Sequence, residues 1–94
     1  PTRVSGVIVT IDTFGNLISN IDGDLIKAFR EPVANIAGHQ IPMLQTYGRA
    51  SPGDFLALVN SFGVIEIAKA EGSAAEGLGS ARGAPLSIID GYST

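Results

Sequence analysis

Val4-Ser5-Gly6-Val7-Ile8-Val9-Thr10-Ile11-Asp12-Thr13-Phe14-Gly15-Asn16-Leu17-Ile18-Ser19-Asn20-Ile21 is the stretch that decides the fold. Val4 to Asp12 reads as a strand of mixed alternation, and Leu17 to Ile21 reads as a second. Gly15-Asn16 is an acceptable tight turn between them, so the two strands form a hairpin. The same grammar continues downstream. Asp24 caps a helical turn through Leu25 to Phe29, which Pro32 ends. Val33 to Ala37 and Gln40 to Leu44 flank Gly38-His39, a pair that fits a type II′ hairpin, and Pro42 places its strand at an edge or bulge. Ser51-Pro52-Gly53-Asp54 has Pro and Gly where a type II turn needs them. Phe55 to Val59 is a continuous apolar run, hence a buried strand, and Asn60-Ser61-Phe62-Gly63 turns it into Val64 to Lys69. Ser73 to Glu76 has capping-box spacing and opens a short helix that Gly77 and Gly79 end, before Leu86 to Asp90 forms the last strand. About seven strands with regular turns predict an all-β fold, a closed or nearly closed small antiparallel barrel, with no internal repeat or linker.

Composition agrees with that reading. Eleven Ile and six Val against seven Leu, with 12 Gly, favour stiff strand positions joined by glycine turns. Ninety-four residues make one domain, which buries roughly 65% of its unfolded surface. A net charge of -3 leaves no cationic surplus for a phosphate backbone, so nucleic acid is not an expected partner. With no Cys there is no disulfide, thiolate metal site or thiol nucleophile. The apolar fraction is 45% with 16% charged residues, and the longest uncharged stretches are broken by Gly and Pro short of a membrane span. The expectation is a soluble domain, with no membrane partner, that fits the cytoplasm. Pro1-Thr2-Arg3 runs directly into the first strand without a secretory leader. The missing initiator Met means either processing or a start inside a longer chain.

Few residues point to chemistry. His39 is the only imidazole, and at a hairpin tip it lacks the partners that a general base or metal site requires. Asp22 and Asp24 read as turn and cap, because no Glu follows at calcium-loop spacing. Glu66, alone in a strand, is expected on a solvated face. Ser61 lacks the first Gly of a nucleophile elbow and any downstream His, Ser73 is a helix cap, and Gly77-x-Gly79 is too short for a dinucleotide fingerprint. No catalytic residue and no metal ligand is assigned. Two turns remain. Phe14-Gly15-Asn16 and Asn60-Ser61-Phe62-Gly63 each set a large aromatic beside Gly and an amide. A flat heterocycle suits that pairing, since a ring stacks on Phe and an Asn amide donates to one edge atom and accepts at the next. Tyr47 could supply a second face. The plainer alternative is that both Phe residues plug the barrel ends and both Asn residues satisfy turn backbone.

At these residues the chain resembles the C-terminal domain of the S-adenosyl-L-methionine (SAM) hydroxide adenosyltransferases, the SAM hydrolases related to fluorinase and chlorinase enzymes. Ile11 to Ile21, Tyr47 before Pro52-Gly53-Asp54, Asn60-Ser61-Phe62-Gly63 through Glu66-Ile67-Ala68, Gly72 to Ala75 and Leu78-Gly79 carry the resemblance, in family order, over nearly all the chain. It implies a missing N-terminal α/β domain that binds ribose and activates water, and a homotrimer in which SAM lies between that domain and a neighbour's barrel. Phe14 and Tyr47 would then enclose adenine, with Asn16 on its edge and Glu71 or its neighbours offering backbone contacts. Asn60, Ser61 and the backbone near Phe62 would hold the methionine end. The halogenases carry Arg where this chain has Phe62, which favours the hydrolase branch. The implied reaction is displacement of methionine from the ribose C5′ by water or hydroxide, giving adenosine, with SAM as substrate and no cofactor. A lone barrel would be inactive. The alternative is a stand-alone, non-catalytic nucleoside-binding or assembly barrel.

Overall fold

The computed structural model describes residues 2–45 and 47–91, with the side chain of Tyr47 outside the described set. In chain order the elements are β1 (Arg3–Ile11), β2 (Leu17–Asp22), a 3₁₀ turn (Gly23–Ile26), β3 (Pro32–Ile36), β4 (His39–Pro42), a second 3₁₀ turn (Tyr47–Arg49), β5 (Phe55–Val59), β6 (Val64–Lys69), α1 (Ala74–Leu78) and β7 (Pro85–Asp90). The strands form one sheet in the order β4-β3-β7-β1-β2-β6-β5, and every neighbouring pair in that order is antiparallel. The sheet curls until its two edges meet. Met43 bridges Ala57 in parallel, and the Leu44 N–H donates to the Ala57 carbonyl at 2.7 Å. The result is the expected nearly closed all-β barrel.

β1 makes the curl possible because its two ends serve different partners. Arg3 to Val7 pair with β7, whereas Ile8 to Ile11 pair with β2, and the register slips between Ile8 and Thr10. Such a bulge bends its strand and increases the local twist. A second slip lies between β2 and β6. There the buried Ser19 hydroxyl donates to the Ile65 carbonyl (2.7 Å) and accepts from the Ile21 N–H (3.1 Å). A hydroxyl thus replaces ladder bonds that the irregular register cannot make.

Side chains alternate into the barrel, where Ile8, Leu17, Ile21, Ile65, Ile67, Leu86 and Ile88 are fully buried. β5 and β6 are covered on both faces. Leu56, Leu58 and Ala68 form a small outer cluster beneath Leu44 and Ala50, which belong to the segment after β4. This double cover explains the unbroken apolar run of β5. Glu66, expected on a solvated face, is instead buried at 7% exposure, with the Asn60 Nδ2 donating to its Oε1 at 3.3 Å.

Three local expectations change. The β3–β4 loop is Ala37-Gly38, both at positive φ (51° and 77°), as a type I′ turn requires. His39 therefore opens β4, where its ring stands edge-on to Phe55 at 5.5 Å between centroids and its Nδ1 donates to the Ala37 carbonyl at 3.1 Å. The first 3₁₀ turn is capped by Asp22, whose carboxylate accepts from the Asp24 N–H, and not by Asp24. The Ser73 cap is as expected: its side chain accepts from the Glu76 N–H, and Gly79 closes α1 in the left-handed region.

Candidate functional site

The two aromatic turns singled out by the sequence are the same structure built twice. In the β1–β2 turn, one oxygen of Asp12 accepts from the Phe14 and Asn16 N–H groups, both at 2.9 Å. In the β5–β6 turn, Asn60 Oδ1 accepts from the Phe62 and Val64 N–H groups at 3.0 and 3.3 Å. The backbone bonds also correspond: Gly15 N–H to Asp12 carbonyl and Asp12 N–H to Asn16 carbonyl in one, Gly63 N–H to Asn60 carbonyl and Asn60 N–H to Val64 carbonyl in the other. Gly15 and Gly63 take nearly the same positive φ, 85° and 82°. The shared pattern is Asp or Asn, a hydroxyl residue, Phe, Gly. Its side-chain oxygen bonds the backbone two and four residues on, which tightens the turn from inside.

A turn held that way presents its third residue outward. Phe14 is 77% exposed and Phe62 is 89% exposed. Neither ring plugs the barrel, so the plainer alternative for the aromatics does not describe this molecule. A β-barrel with a filled core has no need of two large rings in water, and rings so placed suit stacking on a ligand or a partner.

Each turn borders a cleft of about 510 Å³. The first holds Phe14, Asn16, Lys69, Ala70, Glu71 and Gly72. Glu71 has φ 56°, a strained value for a residue with a Cβ, and turns the chain back after β6. The second runs along the outer surface of β1, β2 and β6, with Thr10, Asp12, Asn60, Ser61, Phe62 and the buried Glu66 in its walls. The β2–β6 register sets Leu17 beside Ile67 and Asp22 beside Val64. The two turns thus stand toward opposite ends of β6, with Asp12 of the first turn reaching the cleft that Asn60, Ser61 and Phe62 line.

Of the seven residues expected from the resemblance, the fold gathers Phe14, Asn16 and Glu71 at one cleft and Asn60, Ser61 and Phe62 at the other. Tyr47 has its backbone in the second 3₁₀ turn, and its side chain lies outside the described residues. The Asn60 amide is engaged within the fold, because its Nδ2 donates to Glu66 Oε1 at 3.3 Å while Oδ1 serves the turn. Asn16 is different. Its φ is not positive, so the turn does not call on Asn for left-handed tolerance. Its Nδ2 donates to the second Asp12 oxygen at 2.9 Å.

Asp12 and Glu66 are the site residues that sequence reasoning misses. A signal for Asp12 is present, since Asp12-Thr13-Phe14-Gly15 and Asn60-Ser61-Phe62-Gly63 match position by position in chemistry. Burial raises the Asp12 pKa, but hydrogen bonds from the Asn16 backbone and side chain, and then from Phe14 and Gly15, outweigh it and hold the carboxyl below its ordinary value. Among the described residues no three His, Asp or Glu side chains gather as a metal site.

Residues 6–87 match the family described as the SAM hydroxide adenosyltransferase C-terminal domain. The chain belongs to this family. It is similar to the (R)-S-adenosyl-L-methionine hydrolase of Thermus thermophilus, with 32% identity over 84 residues, 89% of this chain and 31% of that protein. Among solved structures, a conserved hypothetical protein from Thermus thermophilus superposes with TM-score 0.77 at 32% identity, over 90% of this chain and 34% of that one. An uncharacterized conserved protein from Thermotoga maritima gives TM-score 0.79 at 27% identity, over 95% and 36%. This SAM hydroxide adenosyltransferase domain therefore spans about a third of the length of these relatives. Among the described residues no helix is long and apolar enough to cross a membrane.

Proposed function

We propose that this domain is the substrate-enclosing wall of a SAM hydrolase, with the adenine of SAM in the Phe14 cleft and the methionine end toward the Phe62 turn. The observation that carries this is the paired turn: two equivalent scaffolds hold exposed rings at two clefts, and the amide beside the first ring, Asn16, keeps its Oδ1 out of the turn bonds, whereas Asn60 gives its Oδ1 to two backbone N–H groups. Phe14 stacks on the purine and Asn16 reads its edge, while Glu71 and its neighbours close the opposite side of the cleft. Ser61 faces the second cleft with Asp12 and Glu66, a carboxylate-lined wall that suits the cationic ammonium and sulfonium end of the substrate.

In the reaction, an oxygen from water or hydroxide bonds to the ribose C5′ as the C5′–S bond breaks. Methionine leaves with the sulfur electron pair, and the water proton passes to groups outside this chain. Those groups belong to an N-terminal α/β domain, and the barrel wall closes on a neighbouring subunit's domain in a homotrimer. The exposed Val9 and Val59 add to an apolar outer surface that such a domain would cover. The barrel's share is positioning and exclusion of water.

The test is calorimetric binding of adenosine and SAM to the full-length protein. Base–aromatic stacking is worth about 1–3 kcal/mol, so Phe14→Ala should weaken both ligands by about fivefold or more. Affinity unchanged in Phe14→Ala would remove the adenine from this cleft. Binding without turnover in the full-length protein would favour the nucleoside-binding or assembly barrel.

A further inference from the structure

Given the adenine reading of the first cleft, we propose that Asp12 is the residue that sets purine specificity: by fixing which way the Asn16 amide faces, it selects a 6-amino purine over a 6-oxo purine. An Asn amide can be turned end for end at little cost, so a free one reads either of two hydrogen-bond patterns. Asn16 is not free. The Asp12 carboxylate only accepts, and at 2.9 Å it can face only Nδ2. The same carboxylate cannot rotate away, because its other oxygen is held by the Phe14 and Asn16 N–H groups. One N–H of the amide is therefore spent on Asp12. The remaining N–H and Oδ1 are offered in a fixed order beside Phe14, in the wall that Asn16 contributes to the cleft.

That order suits adenine, whose amino group donates to Oδ1 while the neighbouring ring nitrogen accepts from the N–H. A 6-oxo purine sets a carbonyl oxygen against Oδ1. Two acceptors then face each other, and each loses its partner. The second turn supplies the control for this device. There the equivalent position is Asn60, whose Oδ1 makes the same two backbone bonds, so an amide builds the turn as well as a carboxylate. Asp12→Asn should accordingly keep the turn. Its side-chain oxygen would stay on the backbone N–H groups, and its NH₂ would replace the oxygen that faces Asn16. The Asn16 amide must then reverse, offering a donor where it offered an acceptor.

The experiment is a comparison of adenosine and inosine binding to the full-length protein and to Asp12→Asn by calorimetry, with melting temperatures recorded for both. The expected result is a preference of at least about fivefold for adenosine in the parent, which narrows by at least about fivefold or inverts in Asp12→Asn as inosine gains. An unchanged preference in a folded Asp12→Asn would overturn the specificity role and leave the adenine assignment standing. A parent that binds neither nucleoside would overturn both. A second measurement needs no variant. The Asn16 side-chain NH₂ resonances in ¹⁵N-correlated spectra should move with the Asp12 titration, below the ordinary aspartate range. Resonances that ignore that titration would overturn the orientation itself.

Discussion

Gly15→Ala and Gly63→Ala make a matched pair, because the two glycines occupy the same position in the same turn and differ only in what lies beyond it. Their φ values are 85° and 82°, where a Cβ costs roughly 1–2 kcal/mol. Any gain from a stiffer unfolded chain is common to both and cancels in the difference. A Cβ at Gly63 would meet nothing within 4 Å. One at Gly15 would lie 2.0 Å from Ser73 Oγ, 2.6 Å from its Cβ and 3.0 Å from its Cα. Ser73 cannot step aside freely. Its side chain caps α1 on the Glu76 N–H, and the Ala75 N–H is bonded to the Gly15 carbonyl at 2.9 Å. Overpacking of this kind costs about 1–3 kcal/mol. Gly63→Ala should therefore destabilise by about 1–2 kcal/mol and Gly15→Ala by about 2–5 kcal/mol. Denaturant unfolding followed by circular dichroism measures both, and each additional kcal/mol corresponds to about 4–8 °C of melting temperature. Equal losses in the two variants would show that the first turn does not seat on the helix start, and would refute the packing that positions Phe14 and Asn16.

Other outcomes follow from single contacts. Glu71→Gly should stabilise the fold by up to about 1 kcal/mol, since a left-handed conformation suits glycine; a shift in denaturation midpoint checks it. Glu66→Ala should cost about 1–3 kcal/mol by stranding the Asn60 amide, whereas Glu66→Gln, which keeps an acceptor, should cost less in the same assay. The folded Asp12 carboxyl has a pKa below its unfolded value, so its stabilisation is present above the ordinary aspartate range and is lost as pH falls through the folded pKa. The stability gap between the parent and Asp12→Asn should shrink over that acidic window, as acid-dependent denaturation curves would show.

Much of the barrel is legible in the sequence because turn chemistry is local. Gly53, at φ 87° in Ser51-Pro52-Gly53-Asp54, and the Ser73 cap behave as their residue types dictate. What escapes depends on partners distant in sequence. Glu66 reads as a solvated strand residue until the register sets it between Ile18 of β2 and Leu58 of β5. The register slips around Ser19 follow from barrel closure, which no local pattern encodes. The turn pattern places the hairpin loop one residue too late, at Gly38-His39, because Gly38 in fact holds the second loop position and Ala37 accepts a positive φ that its side chain disfavours. In the site, rings and amides are conspicuous, but the acids that hold them are not. An Asp at the end of a strand looks like ordinary punctuation until its two oxygens are traced to three donors in its own turn.

The central claim is that the two turns divide SAM between them, and chemical-shift mapping with the separate halves tests it most directly. Adenosine added to ¹⁵N-labelled full-length protein should perturb the amides of Phe14, Asn16 and Glu71, and methionine those of Ser61 and Phe62. Both halves shifting the same turn, or neither shifting either, would contradict the account.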